Sequence, residues 1–205
     1  MKYISLLAIL FFGFNTTVYS QFDLQSESAK GTILKISEGD VLIYGGNYYG
    51  TEIDLEITVK SLNQEVVFDY EMMNERNNKG TLKISGKALE FARAQNNYYH
   101  EGGFKDLENQ TSIWMSDLVF NELIETGEVT ISTDQGASQV VLQNSNIGHD
   151  YSLTIAGEEI KDMSYVYSES KDGKVKYWIS LDADNPVVLR MEMGWSIWLK
   201  EVRTK

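Results

Sequence analysis

Residues 51–60, TEIDLEITVK, alternate apolar and polar positions without a break: Ile53, Leu55, Ile57 and Val59 against Glu52, Asp54, Glu56, Thr58 and Lys60. Successive side chains on a strand point to opposite faces, so the pattern predicts a half-buried antiparallel strand with one wet face. After a turn at 62–64 the period resumes, with Val66, Phe68, Tyr70 and Met72 on one face. Residues 74–80 read as a polar hairpin tip and 81–85 as the next strand, which makes a meander. Upstream, 32–37 and 41–44 read as the first strands. Gly45-Gly46-Asn47-Tyr48-Tyr49-Gly50 interrupts them, with glycines placed as at a bulge or sharp bend. No GxxxxGK[ST] signature is present and strand follows, so a phosphate-cradling loop is rejected.

The same period dominates the C-terminal third, 159–202. Asp172-Gly173 sits between two alternating runs and predicts a hairpin with a two-residue type I′ turn. Counting outward from Lys171 and Lys174 pairs Glu169 with Lys176, Tyr167 with Trp178 and Tyr165 with Ser180. The opposite face pairs Ser168 with Tyr177 and Val166 with Ile179. In the following hairpin a Gly194-centred loop of odd length aligns Met191 with Ile197 and leaves Arg190 beside Trp198. A cation over that indole is the expected contact. Pro186 fits the first residue of its strand, where no ladder donor is needed.

Between these blocks the period changes. Residues 87–94 suit a strand or a short helix, and 96–110 read as a long loop carrying Tyr98, Tyr99, His100 and Glu101. Loops of that length are functional or mobile in many folds; the competing reading is an aromatic loop packed on the sheet. TSIWM, 111–115, reads as a strand. Ser116 then caps a helix over 117–126, with Gly127 just past its end. Leu118, Val119, Phe120, Leu123 and Ile124 cover most of its circumference, so it is expected to be buried against the concave side of the sheet. Strands over 128–133, 138–144 and 151–156 complete the pattern. The fold class is mainly β, an antiparallel meander forming an open or incomplete barrel around one or two short helices.

The first 20 residues stand apart. A basic start at Lys2, an apolar run over 3–14 and small or acceptable residues before Gln21 predict a cleavable signal peptide, too short to span a bilayer comfortably. Residues 21–31 read as a flexible leader and 32–205 as a single domain. The chain has no cysteine, hence no lipobox and no disulfide, and a periplasmic or secreted location is expected with no transmembrane segment after cleavage. Cleavage leaves 17 of the 18 basic residues against 30 acidic ones, a net charge near −13. That balance opposes nucleic acid and anionic membrane surfaces.

Few residues offer chemistry. His100 and His149 are far apart in sequence, no ligand spacing supports zinc, and no G-x-S-x-G is present. Asp182-Ala183-Asp184-Asn185 has a trace of a calcium loop without a closing bidentate Glu, and reads as a turn before Pro186. No catalytic residue, metal ligand or cofactor is assigned. The candidate binding residues are Met163, Tyr165, Tyr167 and Trp178, one aromatic strip, with Trp198 on the next hairpin. The competing reading makes the strip a second core surface packed by the 116–127 helix. Tyr98, Tyr99 and His100 are the loop candidates.

The ending Trp178-Ile179-Ser180-Leu181-Asp182…Asn185-Pro186-Val187-Val188-Leu189…Gly194, behind a signal peptide and a one-helix meander, resembles a family of exported bacterial proteins of unknown function. Tyr44…Gly50 before a long alternating strand is similar to that family's start. The resemblance covers about 32–202 and implies an incomplete LolA/LolB-like β-barrel around a helix, with a concavity for an acyl chain. It carries over no catalytic residue. Three readings follow: a non-enzymatic periplasmic binder or carrier of an apolar small molecule or lipid; an envelope protein-interaction or structural module with a filled barrel; and, third, a hydrolase working from 98–104.

Overall fold

The alternating segment folds as its period requires. In a computed structural model, which describes residues 30–73, 78–97, 99, 102–133 and 138–205, β1 (Val41–Tyr48) and β2 (Thr51–Leu62) pair antiparallel. The signal peptide expected at 1–20 lies outside the described residues, as do leader residues 21–29. Tyr49 and Gly50 make the turn with φ of 50° and 89°, the left-handed pair that a type I′ hairpin needs. The interruption is therefore confined to those two residues, and Gly45 and Gly46 stay in register within β1. A bulge does fall nearby, between Ile43 and Tyr44.

β3 (Val66–Met73) and β4 (Asn78–Ile84) continue the meander, with Leu55, Ile57, Val59, Val66, Phe68, Tyr70 and Met72 all buried. Residues 87–94 resolve mostly into helix: α1 (Gly86–Phe91) is capped by Ser85, and β5 (Ala94–Gln95) follows. The expected 96–110 loop holds a strand, β6 (Gly103–Leu107), which joins β4 in parallel. The expected 111–115 strand shrinks to β7 (Gln110–Thr111) and a single bridge from Trp114 to Val187. Every residue from Thr111 to Ser116 is no more than 2% exposed, so this run threads the core, and Trp114 stacks on Phe68 at 5.3 Å. The 32–37 strand is likewise not a ladder strand. It bridges Met163 only at Thr32 and buries Leu34 and Ile36 as an extended crossing segment.

α2 (Asp117–Thr126) forms as its caps require: Ser116 Oγ accepts from the Val119 amide, and Gly127 closes the helix at φ 75°. It packs on α1, on β8 (Val129–Thr133) and on β9 (Ser138–Ile155). The separate strands read at 138–144 and 151–156 are one 18-residue strand. β10 (Glu158–Ser170), β11 (Lys176–Ser180), β12 (Val188–Glu192) and β13 (Ser196–Arg203) then pair in order.

The far end of β9 returns to β13 in parallel, through Glu201↔Thr154 and Val202↔Ile155. That contact closes a five-stranded barrel, and β1–β4 and β6 extend the sheet from β13. Strands make up 61% and helices 10%, so the mainly β barrel with few helices stands. Closure depends on a fork, because β13 pairs with β12 along 196–198 and with β9 along 201–202. Tyr151 fills the fork, its hydroxyl within 2.9 Å of the Leu189 carbonyl and 2.8 Å of the Leu199 carbonyl. Burial raises the phenol's pKa, which keeps it neutral and able to donate. Among the described residues no helix is long and apolar enough to cross a membrane.

Candidate functional site

The β10–β11 hairpin adopts the counted register: Tyr165↔Ser180, Val166↔Ile179, Tyr167↔Trp178, Ser168↔Tyr177 and Glu169↔Lys176. Its turn differs from the expected type I′ form. Of the two residues only Gly173 has positive φ, 68°, and its amide donates to the Ser170 carbonyl. Ser170 Oγ accepts from the Val175 amide and donates to Asp172, whose carboxylate also takes the Lys174 amide. These hydrogen bonds, that from Ser170 foremost, hold Asp172 at about 2. The loop is thus two residues longer, one on each side, and the strand register is unchanged.

Tyr165, Tyr167 and Trp178 share the outer face and are half-buried, while Val166, Ser168, Tyr177 and Ile179 opposite them are buried. Met163 leaves the strip. The crossing segment at Thr32 bridges it, and it is fully buried. The β12–β13 hairpin closes with the expected odd-length loop, pairing Glu192↔Ser196, Met191↔Ile197 and Arg190↔Trp198. One row therefore crosses five strands on the outside of the sheet: Tyr167, Trp178, Arg190, Trp198 and Gly45.

Within the row, Tyr167 and Trp178 have ring centroids 4.9 Å apart. The Arg190 cation lies 5.0 Å over Trp178, not over Trp198 as the pairing alone suggested. Trp198 leans the other way, across Gly45, where a Cβ would meet indole Cε2 at 2.9 Å. Glu192 holds Arg190 by a 2.9 Å bond from Nε and also faces Lys176 on β11, which keeps the guanidinium on the Trp178 side. Tyr165 repeats the glycine contact on Gly148, its partner on β9. Tyr165 donates to Asp150 at 2.6 Å and Tyr167 to Glu169 at 2.8 Å. Burial, then those carboxylates, push both phenols up to about 12.

The barrel interior is packed. Val166, Tyr177, Ile179, Met191, Ile197 and Leu199 are each no more than 4% exposed. Tyr177 donates to Gln95 at 2.6 Å and Tyr44 to the Val188 carbonyl at 2.8 Å, so the hydroxyls of these two core tyrosines are partnered. A groove of about 1140 Å³ opens at the turn end, between Val140, Val141, Asp172, Val175 and Met193; no strip residue lines it.

Of the loop candidates, Tyr98 and His100 lie outside the described residues. Tyr99 is a core residue, 4% exposed, hydrogen-bonded to Ser112 and edge-on to Tyr70 at 5.1 Å. Sequence spacing missed a pair: His149 Nδ1 sits 2.9 Å from Ser164 Oγ. Ser164 is fully buried, with Gly31 against its hydroxyl, so a substrate carbonyl has no approach to it. Asp182 makes the turn before Pro186, accepting from the Asp184 and Asn185 amides, and binds Lys35 at 2.6 Å. Among the described residues no group of three His, Cys, Asp or Glu is placed to hold a metal. No family model, no curated protein and no solved structure matches the chain.

Proposed function

We propose that this is a non-enzymatic exported binding module whose ligand lies on the outer face of the barrel, across Tyr165, Tyr167, Trp178 and Trp198. The observation that carries the reading is the row Tyr167–Trp178–Arg190–Trp198 on four adjacent strands. Trp, Tyr and Arg are the side chains that dominate binding energy where they cluster; the rings bring large planar area at low entropic cost, and Arg190 is already held by Glu192. Carriage of a lipid inside the barrel draws no support from a packed interior. The second reading, a filled barrel acting as a protein-interaction module of the envelope, is favoured by the exposure of Tyr49 and Phe104, 77% and 65%.

Native mass spectrometry on protein purified from its own periplasm, followed by extraction, tests the proposal. A stoichiometric small molecule that is lost from the Trp178→Ala and Trp198→Ala variants is the expected result. A clean apo mass, or a ligand retained by both variants, overturns it.

A further inference from the structure

Resting on that reading of the outer face, we infer that the ligand is an uncharged glycan chain laid across the strands, its sugar rings stacked along the aromatic row. Three features of this face converge on that chemistry. Trp178 and Trp198 are two strands apart, a separation of about 9.6 Å for strands spaced near 4.8 Å. Planar contacts repeated at that interval suit a linear polymer of six-membered rings, whose C–H faces are apolar. Trp198 and Tyr165 each have glycine backbone beneath them, at Gly45 and Gly148, and remain partly open to solvent on the other side.

Next, a second row runs parallel to the first, two residues along every strand: Glu169, Lys176, Glu192, Ser196, Asn47 and Glu52 are successive cross-strand partners. Side chains two apart on a strand lie about 6.6 Å apart on one face, so these carboxylates, the amide and the hydroxyl flank whatever lies on the rings. Sugar hydroxyls project from the ring edge, where such groups reach them. A lipid tail or an aromatic surface would make no use of the hydrogen-bonding capacity that this row presents beside the rings, which hydroxyl-bearing rings would use.

Finally, the cations of the face are already engaged. Arg190 and Lys176 both face Glu192, and Lys200 binds Asp54 at 2.6 Å. With a net charge of −12 over the whole chain, the face offers no surplus positive charge for sulfated, phosphorylated or uronate polymers.

The test is calorimetric and tryptophan-fluorescence titration of the full exported protein with hexasaccharides of the cello, xylo, malto and chito series. The expected result is binding of at least one series, strengthening with chain length from two to six units and insensitive to salt. Trp198→Ala and Trp178→Ala should each weaken it tenfold or more. Glu52→Ala and Ser196→Ala, on the polar row and away from the core, should weaken it severalfold at unchanged melting temperature, and Trp198→Phe should keep most of it. No binding by any series, while native mass spectrometry still finds a ligand lost from the tryptophan variants, overturns the sugar assignment and leaves the binding face standing. No binding and no tryptophan-dependent ligand overturns both. Binding that the tryptophan variants retain overturns the placement.

Discussion

Trp198 lies across Gly45, its cross-strand partner, so closely that a Cβ on the glycine would sit 2.9 Å from the indole ring. The glycine serves here as clearance for a ring, since no unusual backbone angle is required of it. Gly45→Ala is expected to destabilise the fold by about 1–3 kcal/mol through overpacking. The loss should shrink in a Trp198→Ala background, read as a coupling energy in a denaturation double-mutant cycle. Gly148→Ala with Tyr165→Ala should behave alike, the Cβ there falling 2.3 Å from Tyr165 Cζ. Additive losses in either cycle would refute the contact.

Tyr151→Phe should cost about 1–3 kcal/mol, because the Leu189 and Leu199 carbonyls lose the one hydroxyl they share at the fork. Faster amide exchange is expected at the end of β9 and along 199–202, where closure depends on that hydroxyl. Unchanged exchange there would mean the fork holds without it.

Tyr165 and Tyr167 should titrate late, at about 12. Their folded values lie above the ordinary value near 10, so the neutral phenols favour the fold at all pH below 10. That contribution is lost as pH rises through 12. Alkaline difference absorbance should show the late phenols, and Asp150→Asn should bring Tyr165 down by removing the carboxylate that helps raise it.

Asp172 carries the opposite sign. Its folded value, about 2, lies below the ordinary carboxylate range, so its contribution is present above about pH 4 and fades as pH falls through 2. Carboxyl and amide NMR shifts of 170–175 should move together in that window, and Asp172→Asn should abolish the transition.

Ser164 should stay unmodified by an active-site-directed fluorophosphonate in the folded protein, despite its 2.9 Å contact with His149, because it is fully buried. Stoichiometric labelling at Ser164 would instead point to a nucleophile at that position, away from the 98–104 loop.

Much of the candidate face was legible in sequence. The hairpin register that sets Tyr167 against Trp178 follows from an Asp-Gly turn and a period of two, and a two-residue error in the loop leaves it intact. The pattern could not say which side faces water. Both faces of β10–β11 are rich in apolar side chains, and a period of two distinguishes faces without ranking them. Met163 shows the limit plainly, since it shares the period of Tyr165 and Tyr167 yet is fully buried, bridged by Thr32 from a segment far away in sequence.

By itself the sequence determined the local devices: the alternating strands β2 and β3, the Ser116 and Gly127 caps of α2, the turn sites at Gly173 and Gly194, and the absence of thiol chemistry. Each is encoded by residues within a few positions of one another. Only the tertiary structure decided that β6 joins β4 in parallel, that β9 is one long strand and that it closes on β13. Parallel pairing and closure join residues distant in sequence, and no short-range pattern of side chains encodes them. The same holds for the last step of the outer row, because Gly45 comes from β1 and meets Trp198 of β13 only when the two ends of the chain pair.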